Sequence, residues 1–259
     1  MKIEINNLNI YYEVYNEDNN TDKASVLLLH GWGADHKYFL PIINTIKEKY
    51  KTFTLDLPGH GESDTLIKSF SVDDYKDIII KFINAMGIKD IILIGHSYGG
   101  RIIIKINSEE NQAFNIEKNI LIDSAGIKPK TTLSKTIKIT SYKIGKFLLN
   151  LIPDKNKREE RLNELKKKFG SSDYINATPI MRETLVKSVN EDLSPLLKNM
   201  KETLLIWGDK DTATPLYDGE YMEKEINNAG LVVLKGTGHF SFVEDSYTFD
   251  KVIRSYLNI

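Results

Sequence analysis

The chain has no cysteine. Disulfides, thiolate nucleophiles and thiolate metal sites are therefore excluded, and the composition fits a reducing cytoplasm. It also lacks an excess of charge: 35 Lys and Arg face 36 Asp and Glu, so no global field favours nucleic acid. No apolar run approaches membrane-spanning length, which argues against stable membrane insertion. The opening Met1-Lys2-Ile3-Glu4-Ile5 has no apolar h-region of a signal peptide. Internal repeats and low-complexity segments are missing as well. What remains is a chain of 259 residues, a length that suits one large α/β domain carrying an inserted subdomain.

Short aliphatic runs alternate with helical patterns along most of the chain. Lys2–Asn6 and Asn9–Tyr15 read as a hairpin at a sheet edge. Ser25–Leu29, Thr52–Leu55, Ile91–Ile94, Asn119–Asp123, Thr203–Trp207 and Leu231–Leu234 read as buried strands. Between them, helices are expected over His36–Lys49, from Ser71 as N-cap to Met86, over Arg101–Glu109, from Pro215 to Asn227, and over Ser246–Leu257. This alternation predicts a mostly parallel sheet with helices on both faces. It breaks from 127 to 190, where Leu133, Ile137, Tyr142, Ile144, Phe147, Leu148 and Leu151 recur at helical spacing and no strand pattern is present. That stretch reads as a helical cap (lid) inserted into a core formed by 1–126 and 191–259. From 127 to 170 it carries 13 Lys and Arg against 4 Asp and Glu, which fits solvated helix faces or a basic lid facing anionic ligands or lipid.

The residues with chemical potential follow the strands directly, where a parallel sheet gathers its ligands. Ile91–Ile94 runs into Gly95-His96-Ser97-Tyr98-Gly99, a G-x-S-x-G turn between strand and helix. A serine hydroxyl needs a base to take its proton, and the base needs a carboxylate to fix its tautomer. Of the five histidines, His239 follows the last strand on a loop loosened by Gly236 and Gly238, and it can reach across the sheet edge to Ser97. His96 adjoins Ser97, but neighbours on a tight turn point apart. His30 and His60 sit in glycine-bearing loops suited to packing beneath the site. Asp211, four residues past Trp207, is the leading acid, with Asp123 and Asp209 as alternatives. Oxyanion donors are expected from the backbone N–H groups of Tyr98 and of Trp32, in the His30-Gly31-Trp32-Gly33 turn.

Five motifs in this order resemble the α/β-hydrolase superfamily over essentially the whole chain. They are His30–Gly33, Asp56-Leu57-Pro58-Gly59-His60-Gly61-Glu62-Ser63, Gly95–Gly100, Gly208-Asp209-Lys210-Asp211 with Pro215, and Gly238-His239-Phe240. The resemblance implies an α/β-hydrolase fold, with an eight-stranded, mostly parallel sheet whose second strand is antiparallel, and a helical cap. A serine nucleophile disfavours the dehalogenase and epoxide hydrolase branches, whose nucleophile is aspartate. It points to a serine esterase working without cofactor or metal on a small ester or thioester substrate. Two alternatives stand beside it. One is a C–C bond hydrolase of a diketone-type acid, with Arg101 or a basic lid residue binding the carboxylate. The other is a non-catalytic small-ligand receptor, which loss of a triad member would favour. Tyr142, Phe147, Tyr174 and Met181 are expected either to line an apolar pocket or to pack between helices. A homodimer is left open.

Overall fold

The computed structural model describes residues 1–17, 23–110, 112–128, 141, 147, 149–150, 153–169 and 172–259. Eight strands form one sheet: β1 (Lys2–Ile5), β2 (Leu8–Tyr15), β3 (Ser25–Leu29), β4 (Thr52–Leu55), β5 (Asp90–His96), β6 (Asn115–Ile122), β7 (Thr203–Gly208) and β8 (Ala229–Leu234). Their spatial order is β1-β2-β4-β3-β5-β6-β7-β8. β2 runs antiparallel to both neighbours, while the pairs from β4 onward are parallel. Asn6 and Asn7, both at positive φ, make the turn of the β1–β2 hairpin.

The strands bury both faces, which is why they read as unbroken apolar runs. Leu27, Leu29, Ile91, Leu93, Leu121, Leu205 and Trp207 face one side of the sheet. Val26, Leu28, Ile92, Ile94, Ile120, Ile122, Leu204 and Ile206 face the other. α2 (Val72–Ala85) and α3 (Tyr98–Asn107) cover the first face through Tyr75, Ile78, Ile79, Phe82, Ile102 and Ile103. α2 begins as expected. The Ser71 side chain accepts from the Asp74 N–H, and the Asp74 carboxylate reaches back to the Ser71 N–H.

The second face is covered by the region expected to be one helix over His36–Lys49, together with the C-terminal helix. The expected helix is in fact two pieces. A 3-10 turn, His36–Phe39, is capped by the Asp35 side chain on the Lys37 N–H, and α1 (Leu40–Ile46) restarts beside Pro41. Proline is tolerated in the first turn of a helix, where its missing N–H is not needed.

Within the expected cap, α4 (Lys155–Phe169), α5 (Ser172–Asn176) and α6 (Pro179–Asn190) are present. The chain leaves the sheet edge at Gly126 and returns at Leu193, whose N–H donates to the Gly126 carbonyl at 3.0 Å. A 3-10 turn over Ser194–Asn199 then leads into β7. Leu133, Ile137, Tyr142, Ile144, Leu148 and Leu151 lie outside the described residues. After β7 come α7 (Leu216–Glu225), β8, a one-turn α8 (Ser241–Glu244) and α9 (Ser246–Leu257). The Tyr50 hydroxyl donates to the Leu257 carbonyl and ties α9 to the sheet.

The β5–α3 junction admits no side chain at its glycines. A Cβ on Gly99 would sit 1.9 Å from the Leu29 carbonyl oxygen, and one on Gly100 would sit 1.8 Å from Ser124 Oγ. Gly99→Ala is therefore expected to destabilise the fold by about 3 kcal/mol or more, because the obstacle is backbone in the central strand. At Gly230 an added Cβ meets nothing within 4 Å, so Gly230→Ala should stay within about 1 kcal/mol of the wild type. Urea unfolding of the two variants checks this, and equal losses would contradict it.

Candidate active site

β5 ends at the turn that carries Ser97. Ser97 has φ 50° and ψ −108°, a conformation that costs on the order of 1–3 kcal/mol and persists only when the surroundings impose it. Here they do. The Ser97 N–H donates to the Ile122 carbonyl at 3.0 Å, and the Ser97 carbonyl accepts from Gly100 at 3.1 Å and from Ala125 at 3.0 Å. The turn is thus bonded both to α3 and to the end of β6. It holds the Ser97 hydroxyl at the carboxyl edge of the sheet.

Three of the residues singled out from the sequence meet at that edge. His239 Nε2 lies 2.9 Å from Ser97 Oγ, and its Nδ1 lies 2.7 Å from Asp211 Oδ2. Asp211 is held by its own turn: Oδ1 accepts from the Ala213 and Thr214 N–H groups at 2.7 and 3.0 Å. Burial alone would raise the Asp211 carboxyl, but hydrogen bonds from His239 and Thr214 bring it below the usual carboxylate range. A carboxylate that stays ionised fixes the Nδ1–H tautomer of His239 and leaves Nε2 free to accept the serine proton.

The two alternative acids do other work. Asp123 is fully buried, and its carboxylate is bonded to other groups. Its Oδ1 accepts from the Gly208 N–H, and its Oδ2 accepts from the N–H and hydroxyl of Ser241. Burial pushes it up to about 7, against those hydrogen bonds and with a further rise from Asp211. It clamps the β7 end to the loop that carries His239. Asp209 accepts from the Gly236 N–H at 2.7 Å and closes the β7 and β8 turns together.

The His30–Gly33 turn, from which an oxyanion donor is expected, lies directly against Ser97. A Cβ on Gly31 would sit 2.8 Å from His96 Nδ1 and 3.2 Å from Ser97 Cβ, so a side chain here would force its neighbours to shift. Tyr98 is the first residue of α3, where N–H groups have no intrahelical carbonyl to meet. The Trp32 ring stands edge-on to Tyr98 at 5.2 Å and to His60 at 5.0 Å. Beneath it, His30 accepts from the Leu57 N–H at Nε2 and donates from Nδ1 to the Gly31 carbonyl. His30 and His60 are therefore packing residues of the two loops.

A cavity of about 300 Å³ opens beside Trp32, between the core loops and α5–α6. Trp32, His60, Asp173, Asn176, Thr178 and Met181 are among its lining residues. Of the four expected pocket residues, Met181 is there. Tyr174 packs beneath the Arg182 guanidinium instead, Phe147 is exposed, and Tyr142 lies outside the described residues. Arg101 is buried, and its guanidinium donates to the Glu191 carbonyl at 3.0 Å, which joins α3 to the end of α6.

Thr214 was not singled out from the sequence. Its hydroxyl lies 2.7 Å from Asp211 Oδ2, 2.9 Å from the Asp123 carbonyl and 3.2 Å from His239 Nδ1. It sits immediately before Pro215, and the Asp211-Thr212-Ala213-Thr214 spacing is that of a side-chain-capped turn, a signal visible in the sequence.

Three histidines around the site are buried and neutral. Burial lowers His30 to about 4 and His60 and His96 to about 3. An unfolded chain protonates them near pH 6.5, so their contribution to stability is held above that pH and lost as pH falls toward 4. Asp123, raised to about 7, keeps one proton in the folded state and opposes the trend. The balance is about two protons taken up on unfolding, so the melting temperature should fall from about pH 7 to pH 5. His60→Phe should flatten that slope by about one proton. Melting curves that are level over this range, or a slope that His60→Phe leaves unchanged, would contradict the assignment.

A family model described as the alpha/beta hydrolase fold matches residues 24–112, from β3 through α3, and one described as TAP-like protein matches residues 181–259. Among curated proteins, the chain is 27% identical to an uncharacterized hydrolase, YugF, of Bacillus subtilis, over 92% of this chain and 90% of that one. It is 23% identical to the 2-hydroxy-6-oxononadienedioate/2-hydroxy-6-oxononatrienedioate hydrolase 1 of Pseudomonas putida, over 96% of this chain and 92% of that one. Among solved structures, the enol-lactonase from Burkholderia xenovorans LB400 superposes over 100% of both chains with a TM-score of 0.75 at 18% identity.

Proposed function

This chain belongs to the α/β-hydrolase superfamily, and we propose that within it the protein is a serine hydrolase cleaving a small carboxylic ester or thioester. The observation that carries the reading is the unbroken relay from Asp211 Oδ2 through His239 to Ser97 Oγ, with links of 2.7 and 2.9 Å. The 2.9 Å link is within reach for proton transfer from Ser97 to His239, and the 2.7 Å link holds the imidazole in place.

In this reading Ser97 Oγ attacks the substrate carbonyl carbon as its proton passes to His239 Nε2. The negative charge that develops on the carbonyl oxygen is taken by the N–H groups of Trp32 and Tyr98, at the mouth of the cavity and the head of α3. Asp211 steadies the imidazolium by its hydrogen bond at Nδ1. Collapse of the tetrahedral adduct breaks the bond to the alcohol or thiol, which leaves with the proton from His239. Water then enters, gives its proton to His239 and attacks the acyl group. The acid departs and Ser97 recovers its proton. Every proton taken is returned, so no cofactor is called for. The cysteine-free composition fits the cytoplasm as the setting.

A second reading, hydrolysis of a C–C bond in a diketone-type acid, draws support from the similarity to the Pseudomonas putida hydrolase. It asks for a cation facing the substrate carboxylate. Arg101 is engaged with the Glu191 carbonyl, and the cavity beside Trp32 is lined by Asp173 and by no Lys or Arg among the described residues. That favours the ester.

A fluorophosphonate probe should label the wild type and leave Ser97→Ala unlabelled. Asp211→Asn should lower kcat on a p-nitrophenyl ester by roughly 10³- to 10⁴-fold, because it loses the correct His239 tautomer. Side-by-side assays with p-nitrophenyl acetate and a vinylogous diketone acid separate the two readings. Turnover of the diketone alone would overturn the ester assignment, and label persisting on Ser97→Ala would overturn both.

A further inference from the structure

His96 stands between the strand and the nucleophile, and its ring touches each of the three segments that make the site. The ring is buried, and its Nε2 lies 2.8 Å from the carbonyl oxygen of His239. A carbonyl only accepts, so Nε2 carries the proton and donates it. The ring centroid lies 4.9 Å from that of His239, 5.0 Å from that of Phe240 and 5.2 Å from that of Phe242. On its other edge the Trp32 loop presses close, since a Cβ on Gly31 would sit 2.8 Å from His96 Nδ1. One ring thus meets the oxyanion-side loop, the nucleophile turn of which it is part, and the base loop.

The base loop is anchored on either side of His239. Upstream, the Gly236 N–H donates to Asp209, the Thr237 carbonyl accepts from the Lys210 N–H, and the Gly238 N–H donates to Glu244 Oε2. Downstream, Ser241 is held on Asp123. The bond from His96 fixes the peptide of His239 itself, between those two points.

We propose that His96 is a positioning residue whose Nε2–H, by holding the His239 carbonyl, sets the reach of His239 Nε2 to Ser97 Oγ. The inference rests on the serine-hydrolase reading of the site. It requires a proton on Nε2. Burial and the neighbouring His239 lower the ring to about 3, so it stays neutral across the working range. The role depends on the reach of the donor as well as on its polarity. Glutamine carries an amide N–H as many bonds from the backbone as Nε2 of histidine. Asparagine stops one atom short, and phenylalanine keeps the packing but has no donor.

The test is the rate at which a fluorophosphonate phosphonylates Ser97, which does not depend on knowing the substrate. Saturating rate and half-saturating probe concentration are measured for the wild type, His96→Gln, His96→Asn and His96→Phe, with a melting curve for each. The saturating rate should fall about 10- to 100-fold in His96→Asn and His96→Phe with an unchanged half-saturating concentration, as expected for a small displacement of the base. His96→Gln should stay within about threefold of the wild type. If His96→Gln falls as far as His96→Asn, or if neither falls, the positioning role is refuted; should His96→Phe fail to fold, the Gln and Asn pair still decides. If the wild type does not label at Ser97, the hydrolase reading itself has failed and this inference falls with it.

Discussion

The architecture depends on a turn that has no room for side chains. Gly99 passes so close to the Leu29 carbonyl, and Gly100 so close to Ser124, that any Cβ would overlap them. That closeness is what lets α3 pack onto β3 and β5 while Ser97 is left at positive φ with its hydroxyl at the sheet edge. The strain at Ser97 is balanced by three backbone hydrogen bonds, to Ile122 at the end of β6, to Gly100 in α3 and to Ala125 in the loop after β6. Loosening any of the three contacts would let the turn relax and withdraw the hydroxyl. The central strands, apolar on both faces, provide the stiffness that holds this arrangement.

Two buried aspartates stand at the ends of adjacent strands, and their surroundings divide the labour between them. Asp211 receives hydrogen bonds from its own turn and from His239, which hold its carboxyl below the usual carboxylate range. Asp123 is wholly desolvated and spends its oxygens on Gly208 and Ser241, holding the loop rather than the imidazole. Thr214 lies against both, with its hydroxyl near Asp211 Oδ2 and the Asp123 carbonyl. Asp123 directly follows β6 while Asp211 sits three residues past β7, so the two differ both in where their turns place them and in the donors they meet.

The parts legible in the sequence were those with strong local signals. Aliphatic runs on both faces of β3, β5, β6 and β7 marked the central strands, and Ser71 with Asp74 marked the start of α2. The order of Ser97, Asp211 and His239 at strand ends predicted that they would meet, and they do. Features that depend on contacts distant in sequence were not legible. The His36–Phe39 turn is held at its start by Asp56, whose Oδ1 accepts from the His36 N–H 20 residues away, and the one-turn α8 is held by Ser241 bonding to Asp123, 118 residues away. The place of Arg101 was open for the same reason, because its partner is a carbonyl at the far end of α6. His96 was set aside as a base because it points away from Ser97, and the same geometry brings it to the His239 carbonyl.

The central claim is that Ser97 forms a covalent bond to the acyl group. Rapid-quench mass spectrometry within the first turnover of a p-nitrophenyl ester tests it most directly. The account predicts an acyl adduct on the peptide containing Ser97, formed before steady state and absent from Ser97→Ala. Full ester turnover with no adduct, or an adduct on another residue, would contradict it.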